Sequence, residues 1–387
     1  MARLGDICDI LNGYAFKSEK YISSGIRVIR IANVQKGYIE DTAPAFYPLD
    51  TPDIEKYTLY EDDLLISLTG NVGRVALLKK EFLPAALNQR VACLRLKNNV
   101  PYDKSFLYCF LNSDYFENKC IQSAKGVAQK NMSTEWLKDY EIPDLSLDEQ
   151  KEISTVLNKI SDLINIRKQQ LFDFDNLVKS RFIEMFGDPV LNPMGWQVSE
   201  FSNYITFLTS GSRGWAKYFS NDGEYFITIK NVKNCRITLD DVQHIIPPDN
   251  AEAKRTKVKE GDLLISITAD LGRTGIVTKE IAEYGAYINQ HLTCIRLEQD
   301  KLRPLYAAYY LESDAGKDQF QSKNQNGVKA GLNFNAINSL KLLVPPVEEQ
   351  DAFLTFVEQT DKLKFEVKKA LEKLEILKKS LMQQYFG

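Results

Sequence analysis

Hydrophobic residues recur at intervals of three and four over two long stretches of the chain, and each stretch predicts one long helix. The first covers 147–186, where Ser146 and Glu149 form a capping-box pattern before it and Gly187-Asp188-Pro189 is a stop after it. The second follows Pro345-Pro346 and repeats the design to the end of the chain. Forty helical residues span about 60 Å, which is longer than one small domain needs.

Each apolar stripe is too narrow for a helix buried on all sides, and its spacing stays close to a heptad. We therefore predict that the two helices pack on each other as an antiparallel coiled coil. The alternative is two amphipathic helices, each lying on its own domain. The predicted pairing positions are Ile153, Leu157, Ile160, Ile164, Leu171, Val178, Leu363, Val367, Leu374, Leu377 and Leu381.

The segment before the first helix reads as a mixed domain of strands and helices. Residues 26–34 alternate like a strand, and 63–68 form a short apolar strand that leads into a glycine-bearing loop. Residues 88–96 predict another strand, 105–122 a helix, and 137–142 an edge strand or extended segment.

The segment between the two predicted helices repeats this pattern in the same order. Residues 224–232, 261–273 and 289–297 match 26–34, 62–74 and 88–96, and Gln350 matches Gln150 at an offset of 200. Ordered matches at one offset indicate a tandem duplication with pseudo-two-fold symmetry. The predicted fold is an α/β (α+β) tandem repeat, with domains at 1–145 and 189–345 separated and joined by helices at 146–188 and 346–387.

Composition narrows the class of protein. A hydrophobic content of 44% and a charged content of 26% are those of an ordinary globular chain, and no apolar run approaches a membrane span. The six cysteines lack CxxC spacing, and with two histidines a zinc site is not expected. Cys93 and Cys294 lie in matching apolar strands, so we expect them to be buried free thiols in a reducing cytoplasm. The net charge of −3 permits nucleic-acid binding only through a local basic face.

Motifs for catalysis are missing from the sequence. It has no GxxxxGK[ST] loop for a nucleoside triphosphate and no strand-linked GxGxxG for a dinucleotide. It also lacks the motif pair with which amino-methyltransferases hold the methyl donor and the target base. The string Pro248-Asp249 with Glu252 and Lys254 is too compact for nuclease carboxylates on neighbouring strands. We therefore expect a chain that is not an enzyme by itself and binds no metal or cofactor.

Basic, polar and aromatic side chains occur in the loops of both repeats, and they are the candidates for contacts with a nucleic acid. Lysine and arginine neutralise phosphates, whereas asparagine, glutamine and arginine can read base edges. The alternative for each is a solvated surface residue, and Arg74 and Arg273 are favoured because both follow a turn glycine. The candidates are Lys17, Arg74, Gln89, Arg90, Lys125, Lys130, Asn131, Arg213, Trp215, Lys217, Arg273, Gln290, His291, Lys323 and Lys329.

The whole chain resembles the specificity (S) subunits of type I restriction-modification systems, the HsdS family. The resemblance follows the family's order of target domain, helix, target domain, helix. The segments that carry it are Gly13-Tyr-Ala-Phe-Lys-Ser18, Ile29-Arg-Ile-Ala-Asn-Val34, 62–74, 261–273, Phe182-Ile-Glu-Met-Phe-Gly-Asp-Pro189, Asn192-Pro-Met-Gly-Trp196, Gly211-Ser-Arg-Gly-Trp-Ala-Lys-Tyr218 and Ile227-Thr-Ile-Lys-Asn-Val232.

The resemblance implies two target-recognition domains, each of which binds one half of a split, asymmetric DNA sequence. The paired helices would act as a ruler for the spacer, and 60 Å limits the separation to about 18 base pairs. It also implies partners: two methyltransferase subunits that bring S-adenosylmethionine, and a motor-nuclease subunit that uses ATP and Mg. Exposed helix lysines such as Lys159, Lys168, Lys368 and Lys373 are candidates for docking these partners.

Two other functions remain open on the sequence. One is a specificity subunit of a related type II system, in which methylation and cleavage share one partner chain. The other is a repeat-built adaptor that binds protein rather than DNA. Binding that weakens steeply with salt and depends on a split sequence would favour the DNA reader.

Overall fold

A computed structural model describes residues 2–124, 131–324 and 331–387. The chain divides into two compact units. The first consists of Met1–Gln169 with Lys368–Gly387, and the second consists of Gln170–Val367.

The first unit contains short strands and helices, and the amino-terminal part of a long helix. Its strands are β1 (Ala2–Arg3), β2 (Cys8–Asn12), β3 (Ile26–Ile29), β4 (Val34–Gln35), β5 (Tyr38–Ile39), β6 (Phe46–Tyr47), β7 (Thr58–Leu59), β8 (Leu64–Ser67), β9 (Val75–Leu77), β10 (Ala85–Leu87), β11 (Val91–Leu96) and β12 (Glu141–Ile142). Its helices are α1 (Leu4–Ile7), α2 (Lys104–Leu111), α3 (Asp114–Ser123), α4 (Thr134–Asp139) and the start of α5 (Leu147–Phe186), with 3₁₀ turns at Ser18–Lys20, Ile31–Asn33, Ile54–Tyr57 and Lys80–Phe82.

Two four-stranded sheets form the body of this unit. One has the order β2-β11-β8-β9 and is antiparallel throughout. The other has the order β6-β3-β10-β7 and contains one parallel pair, β3 with β10. The apolar cores lie against these sheets, because β8 and most of β11 are buried on both faces.

The second unit repeats this set of elements. Its strands are β13 (Gln197–Glu200), β14 (Ile205–Ser210), β15 (Phe219–Ser220), β16 (Glu224–Ile227), β17 (Val232–Lys233), β18 (Arg236–Ile237), β19 (Gln243–Ile245), β20 (Leu263–Ser266), β21 (Thr274–Ile276), β22 (Ala286–Ile288), β23 (Leu292–Leu297) and β24 (Lys341–Val344). Its helices are α6 (Ala251–Thr256), α7 (Lys279–Tyr284), α8 (Pro304–Glu312), α9 (Asp314–Ser322), α10 (Phe334–Asn338) and the start of α11 (Val347–Phe386), with 3₁₀ turns at Phe201–Tyr204, Trp215–Tyr218 and Ile229–Asn231.

The sheets of the second unit follow the same plan as those of the first. The order β14-β23-β20-β21 reproduces β2-β11-β8-β9, and the parallel pair β16–β22 reproduces β3–β10. The mixed α/β tandem repeat predicted from the sequence is confirmed. The edges of this sheet differ, since β15 lies beside β19 in the second unit, whereas β7 lies beside β10 in the first.

Two of the predicted secondary-structure segments are wrong in detail. The predicted helix 105–122 is broken into α2 and α3, because the hydroxyl of Ser113 accepts a hydrogen bond from Phe116 N–H (3.1 Å) and starts a new helix. Ser313 caps α9 in the same way in the second unit. The first half of the predicted extended segment 137–142 is the end of α4, and only Glu141–Ile142 pairs as a strand.

Both long helices are present, and they pair in antiparallel directions within each unit. In the second unit, Asp175 bonds to Lys364, Arg181 lies over the ring of Phe356, and Phe182 contacts Phe353. As the residue number rises along α5, the number of its partner on α11 falls, so the two helices run in opposite directions. In the first unit, Lys168 bonds to Glu375 (3.2 Å), and Leu157 packs in the cluster that contains Phe386. The predicted antiparallel pairing is confirmed.

Most of the predicted seam positions are buried or half-buried, but two are not. Leu363 is 55% exposed and Leu377 is 47% exposed, so these two assignments are wrong. Each lies one residue away from the buried stripe, which is a rotation of about 100° around the helix. Lys364 and Lys378 occupy the stripe instead, and both are half-buried, as long lysine side chains permit when the ammonium group stays near solvent. Burial lowers the pKa of Lys378.

A buried glutamine ties the beginning of each long helix to its domain. The side chain of Gln150 accepts from Asp103 N–H (2.8 Å) and donates to the carbonyls of Pro101 (3.1 Å) and Leu145 (2.8 Å). Gln350 makes the equivalent bonds to Arg303 N–H (2.8 Å), Lys301 O (3.2 Å) and Pro345 O (2.9 Å). Both residues are fully buried, which explains why this amide occurs in both repeats.

The substitution Gln350→Leu tests this anchor. It keeps the volume but leaves one N–H group and two carbonyls without their partner, so we expect a loss of about 2–4 kcal/mol in the free energy of unfolding. Urea unfolding measures the loss. The matched control is Gln359→Leu, the same exchange at an exposed position of α11, with an expected change below about 0.5 kcal/mol. Equal midpoints for the two variants would contradict the anchor.

Candidate nucleic-acid interface

Backbone hydrogen bonds bring four loop segments of the first unit together at one place. Gln89 N–H donates to Tyr14 O (3.0 Å), Leu68 N–H donates to Arg90 O (3.0 Å), and Met132 N–H donates to Leu68 O (2.9 Å). Thr69 and Asn131 form an isolated antiparallel bridge. We call this surface the first loop cluster, defined by Tyr14, Thr69, Gln89, Arg90 and Asn131.

The second unit builds the same platform with the same bonds. Gln290 N–H donates to Ser212 O (3.0 Å), Ile267 N–H donates to His291 O (3.0 Å), and Leu332 N–H donates to Ile267 O (2.9 Å). Thr268 bridges Gly331, as Thr69 bridges Asn131. The second loop cluster is defined by Ser212, Arg213, Thr268, Gln290 and His291.

A glycine permits the close backbone approach at each platform. A Cβ atom on Gly13 would lie 2.3 Å from the carbonyl carbon of Asn88, and one on Gly211 would lie 2.2 Å from the carbonyl oxygen of Asn289. No side chain fits at such distances, so glycine is required at both positions.

The first loop cluster presents polar and cationic side chains to solvent. Gln89, Arg90 and Asn131 are exposed, and Lys17 is exposed three residues after Tyr14. Tyr14 itself is 43% exposed. Tyr14 was not among the contact residues predicted from the sequence, although an exposed aromatic ring between such groups suits stacking on a base.

The second loop cluster carries a side-chain network that has no equivalent among the described residues of the first. The Thr268 hydroxyl lies 2.8 Å from Nδ1 of His291, and Nε2 of Gln290 lies 3.1 Å from Nε2 of the same ring. Arg213 and Lys217 are exposed beside it. Thr268 was not among the contact residues predicted from the sequence. The repeat offered a signal for it, because Thr69 occupies the equivalent position in the first unit.

Arg255 is a third residue that was not predicted from the sequence. It is exposed and donates to the carbonyl of Ser210 (2.9 Å), directly before Gly211. It therefore adds a positive charge next to the second loop cluster. Nothing in the motif pattern indicated it, because its position depends on how α6 packs against β14.

Arg74 and Arg273, which the sequence favoured, belong to a structural turn. Gly73 N–H donates to Ser67 O and Gly272 N–H donates to Ser266 O, both at 3.0 Å. The Arg74 side chain bonds to Gln35, and that of Arg273 forms an ion pair with Asp270 (2.5 Å). Both arginines are half-buried and turned back onto their own unit.

Two other predicted contact residues are engaged within the second unit. Trp215 is only 3% exposed, and its indole Nε1–H donates to Glu252 (3.2 Å). The prediction that Trp215 contacts a nucleic acid is therefore wrong. Trp215 is buried because it packs against Phe226 and Tyr287. Lys323 is half-buried and donates to Ser339 Oγ (2.8 Å). Lys125, Lys130 and Lys329 lie outside the described residues.

A buried carboxylate occurs in each unit, and each is neutralised by an arginine on the adjacent strand. Asp63 accepts from Arg95 Nε (2.8 Å), and Asp262 accepts from Arg296 Nε (2.8 Å). The hydrogen bonds that Arg95 donates to Asp63 raise the pKa of this arginine. Asp63 and Asp262 directly precede β8 and β20, whereas the loop clusters follow the other ends of these strands. Because both acids are paired with an arginine there, they hold strands together rather than face a ligand.

The remaining chemistry is sparse in the part of the chain that the structure describes. All six cysteines are free and buried, as was predicted for Cys93 and Cys294, and burial raises the pKa of Cys109 to about 11. Residues 2–124, 131–324 and 331–387 contain no group of acidic, histidine and cysteine side chains that would hold a metal ion. They also contain no helix long and apolar enough to cross a membrane.

Comparison with known proteins assigns the family. The family described as type I restriction modification DNA specificity domain matches residues 1–172 and 195–377, which is both repeats. The chain belongs to this family. The resemblance noted in the sequence is therefore confirmed over most of its length.

Individual relatives of this specificity-domain family agree with the assignment. The specificity subunit of the type I restriction enzyme EcoBI from Escherichia coli is 23% identical, with 99% of this chain and 84% of that protein aligned. The EcoAI specificity subunit of Escherichia coli is 37% identical over 167 residues, which is 42% of this chain and 28% of that protein.

Solved structures show the same fold. The S subunit of a type I restriction-modification system from M. genitalium aligns with a TM-score of 0.56 and 14% identity over all of this chain and 95% of that one. A chain from a structure of complex assembly in the type I R-M system aligns with a TM-score of 0.59 and 16% identity, over 100% and 96% of the two chains.

The turn that leads out of each loop cluster generates a prediction. Gly272 has a φ of +80°, and a Cβ atom there would lie 2.2 Å from the Phe320 ring. We expect Gly272→Ala to lower the free energy of unfolding by at least about 3 kcal/mol, because both the backbone and a buried ring must give way. Urea unfolding measures the loss.

Gly70→Ala is the matched control for this substitution. Gly70 has a φ of +66° with open space around it, and the second repeat already carries Ala269 at the equivalent position with a φ of 58°. We expect a cost of about 1 kcal/mol from the backbone alone. If Gly272→Ala cost no more than this control, the ring contact would not be what fixes the turn.

Proposed function

We propose that this chain is the DNA-reading subunit of a type I restriction-modification complex, in which each loop cluster reads one half of a bipartite, asymmetric target. One observation carries the proposal: the same backbone platform is built twice, and it carries different side chains each time. Gln89 and Gln290 are equivalent, but Tyr14 and Arg90 in the first unit correspond to Ser212 and His291 in the second. Equal scaffolds with unlike loops suit two readers of different sequences.

The exposed side chains match the chemistry of duplex DNA. Lys17, Arg90, Arg213 and Lys217 supply positive charge for phosphates, which compensates locally for a net charge of −3. Gln89, Asn131 and Gln290 offer the paired donor and acceptor that distinguish base edges. Phosphate contacts would position the chain, and the amides would specify the sequence.

The helices α5 and α11 set the spacer in this proposal. A continuous helix of forty residues is stiff over about 60 Å, and the antiparallel seam fixes its register. The spacer should be shorter than the limit of about 18 base pairs, because the domains would overhang the helices.

The chemistry belongs to partner subunits in this proposal. Two methyltransferase subunits would bring S-adenosylmethionine and methylate adenine, and a motor-nuclease subunit would use ATP and Mg, all in the cytoplasm. The helices offer equivalent outward leucines in both repeats, Leu163 with Leu363 and Leu177 with Leu377, all exposed. Such repeated apolar positions suit two copies of one partner. Lys159, Lys368 and Lys373 are exposed nearby along the helices, whereas Lys168 is paired with Glu375.

The test is co-expression with a methyltransferase partner, followed by mapping of methylated adenines across the genome. We expect a split motif with a fixed spacer. Exchanging residues 1–145 for the same region of a relative should then change one half-site and leave the other half-site and the spacer as they were, because the second loop cluster is untouched.

The matched control is the reciprocal exchange of residues 189–345, which should change the other half-site alone. A change of both half-sites on either exchange would contradict the two-reader account. A soluble complex that methylates no split motif would contradict the proposed function itself.

A further inference from the structure

We propose that Gln290 reads an adenine in the half-site bound by the second unit, and that His291 and Thr268 are positioning residues which hold its carboxamide for that contact. This inference rests on the proposed function and adds a base to it. It comes from a network that the first unit does not share, although both repeats carry the same glutamine and threonine.

The atoms of the network determine which groups donate. A carboxamide nitrogen can only donate, so Nε2 of Gln290 donates to Nε2 of His291 over 3.1 Å. That ring nitrogen is then without a proton, and the proton is on Nδ1. Nδ1–H in turn donates to the Thr268 hydroxyl at 2.8 Å. The chain of bonds therefore fixes both the tautomer of His291 and the plane of the Gln290 amide.

The fixed amide keeps one donor and one acceptor for a ligand. Nε2 has a second hydrogen, and Oε1 has no hydrogen bond within the described part of the chain. Adenine presents the complementary pair in the major groove, because N7 accepts and the N6 amino group donates. Guanine offers two acceptors there, so it cannot satisfy Oε1.

The surroundings of Gln290 suit this contact. Its backbone N–H donates to Ser212 O (3.0 Å), so the main chain of Gln290 is fixed on the platform as well as its side chain. The side chain is half-buried rather than free in solvent. Arg213, next to Ser212, is exposed and can meet a phosphate of the same strand.

The first unit provides the comparison. Gln89 occupies the equivalent position, but Arg90 stands where the second unit has His291. Gln89 is exposed, and its carboxamide has no hydrogen-bond partner among residues 2–124, 131–324 and 331–387. The hydroxyl oxygen of Thr69 is buried without a partner in the same described set. The orienting network is therefore specific to the second unit.

The first experiment is Gln290→Glu in the co-expressed complex, read by mapping methylated adenines. A carboxylate accepts from the N4 amino group of cytosine but gives nothing to N7 of adenine. We expect one position of the second half-site to change from adenine to cytosine, with a shift in preference of at least about tenfold. The first half-site and the spacer should stay as in the wild type. An unchanged adenine at every position of that half-site overturns the inference.

The matched control is Gln89→Glu in the first unit. We expect any change in the motif to be confined to the first half-site. If this variant changed the second half-site, the assignment of Gln290 to that half would be overturned.

If Gln290→Glu abolishes methylation, direct measurement of DNA binding tests the inference instead. The purified complexes with wild-type Gln290 and with Gln290→Ala are titrated with duplexes that carry each of the four base pairs at the assigned position. We expect the wild type to prefer adenine by about 10- to 100-fold and the alanine variant to bind all four within about threefold. Retained adenine preference in the alanine variant overturns the inference.

The positioning roles have their own readout. Thr268→Val removes the acceptor of His291 Nδ1–H, and we expect the adenine preference to fall by about fivefold or more while the first half-site is still read. Thr268→Ser should restore the preference. Equal preference in the valine and serine variants would overturn the role of Thr268. A wild-type complex that yields no split motif would instead overturn the proposed function, which separates the two failures.

Discussion

Aromatic side chains at the ends of the long helices hold this structure together. In the second unit, Phe182 and Phe186 near the end of α5 pack on Phe353 at the beginning of α11, with ring centroids 5.4 and 5.6 Å apart. Both also contact Tyr306 of α8. In the first unit, Phe386 packs on Phe106 and Phe110. Each domain therefore completes its core with the beginning of one helix and the end of the other.

This arrangement separates what must be constant from what can vary. The buried Asp–Arg pairs, the Gln150 and Gln350 anchors and the helix seam are the same in both units, because each satisfies buried polar groups or fills a core. The loop clusters stand on this scaffold through backbone bonds that both repeats share, and Asn88 and Asn289 add the same side-chain bond to the main chain of Arg90 and His291. Their side chains can change without loss of the platform, which is the property that a family of readers for different sequences requires.

Periodicity predicted the helices and the repeat because burial follows a regular spacing in both. It failed where a single residue or a distant contact decides. The stripe on α11 drifted by one residue, so Leu363 and Leu377 were placed inside although they face outward. Ser113 broke a helix that apolar spacing alone makes continuous. Trp215 was expected on the surface, and only the fold shows that Phe226 and Tyr287 cover it.

The candidate site was predictable in part for the same reason. Matching positions in the two repeats identified Gln89 with Gln290 and Arg90 with His291, and both pairs lie on the platform. The favoured pair, Arg74 and Arg273, follows an equally good match but serves a turn. A repeated motif shows that a position matters, and only the geometry tells whether it matters for folding or for a ligand.

We propose that α5 and α11 together set the spacer between the two half-sites. The most direct measurement is the methylation motif of a complex in which one heptad has been inserted into each helix, within 147–186 and 347–386. The account predicts a longer spacer of about three base pairs, since seven helical residues add about 10.5 Å, with both half-sites unchanged. A folded variant that keeps the original spacer would contradict it.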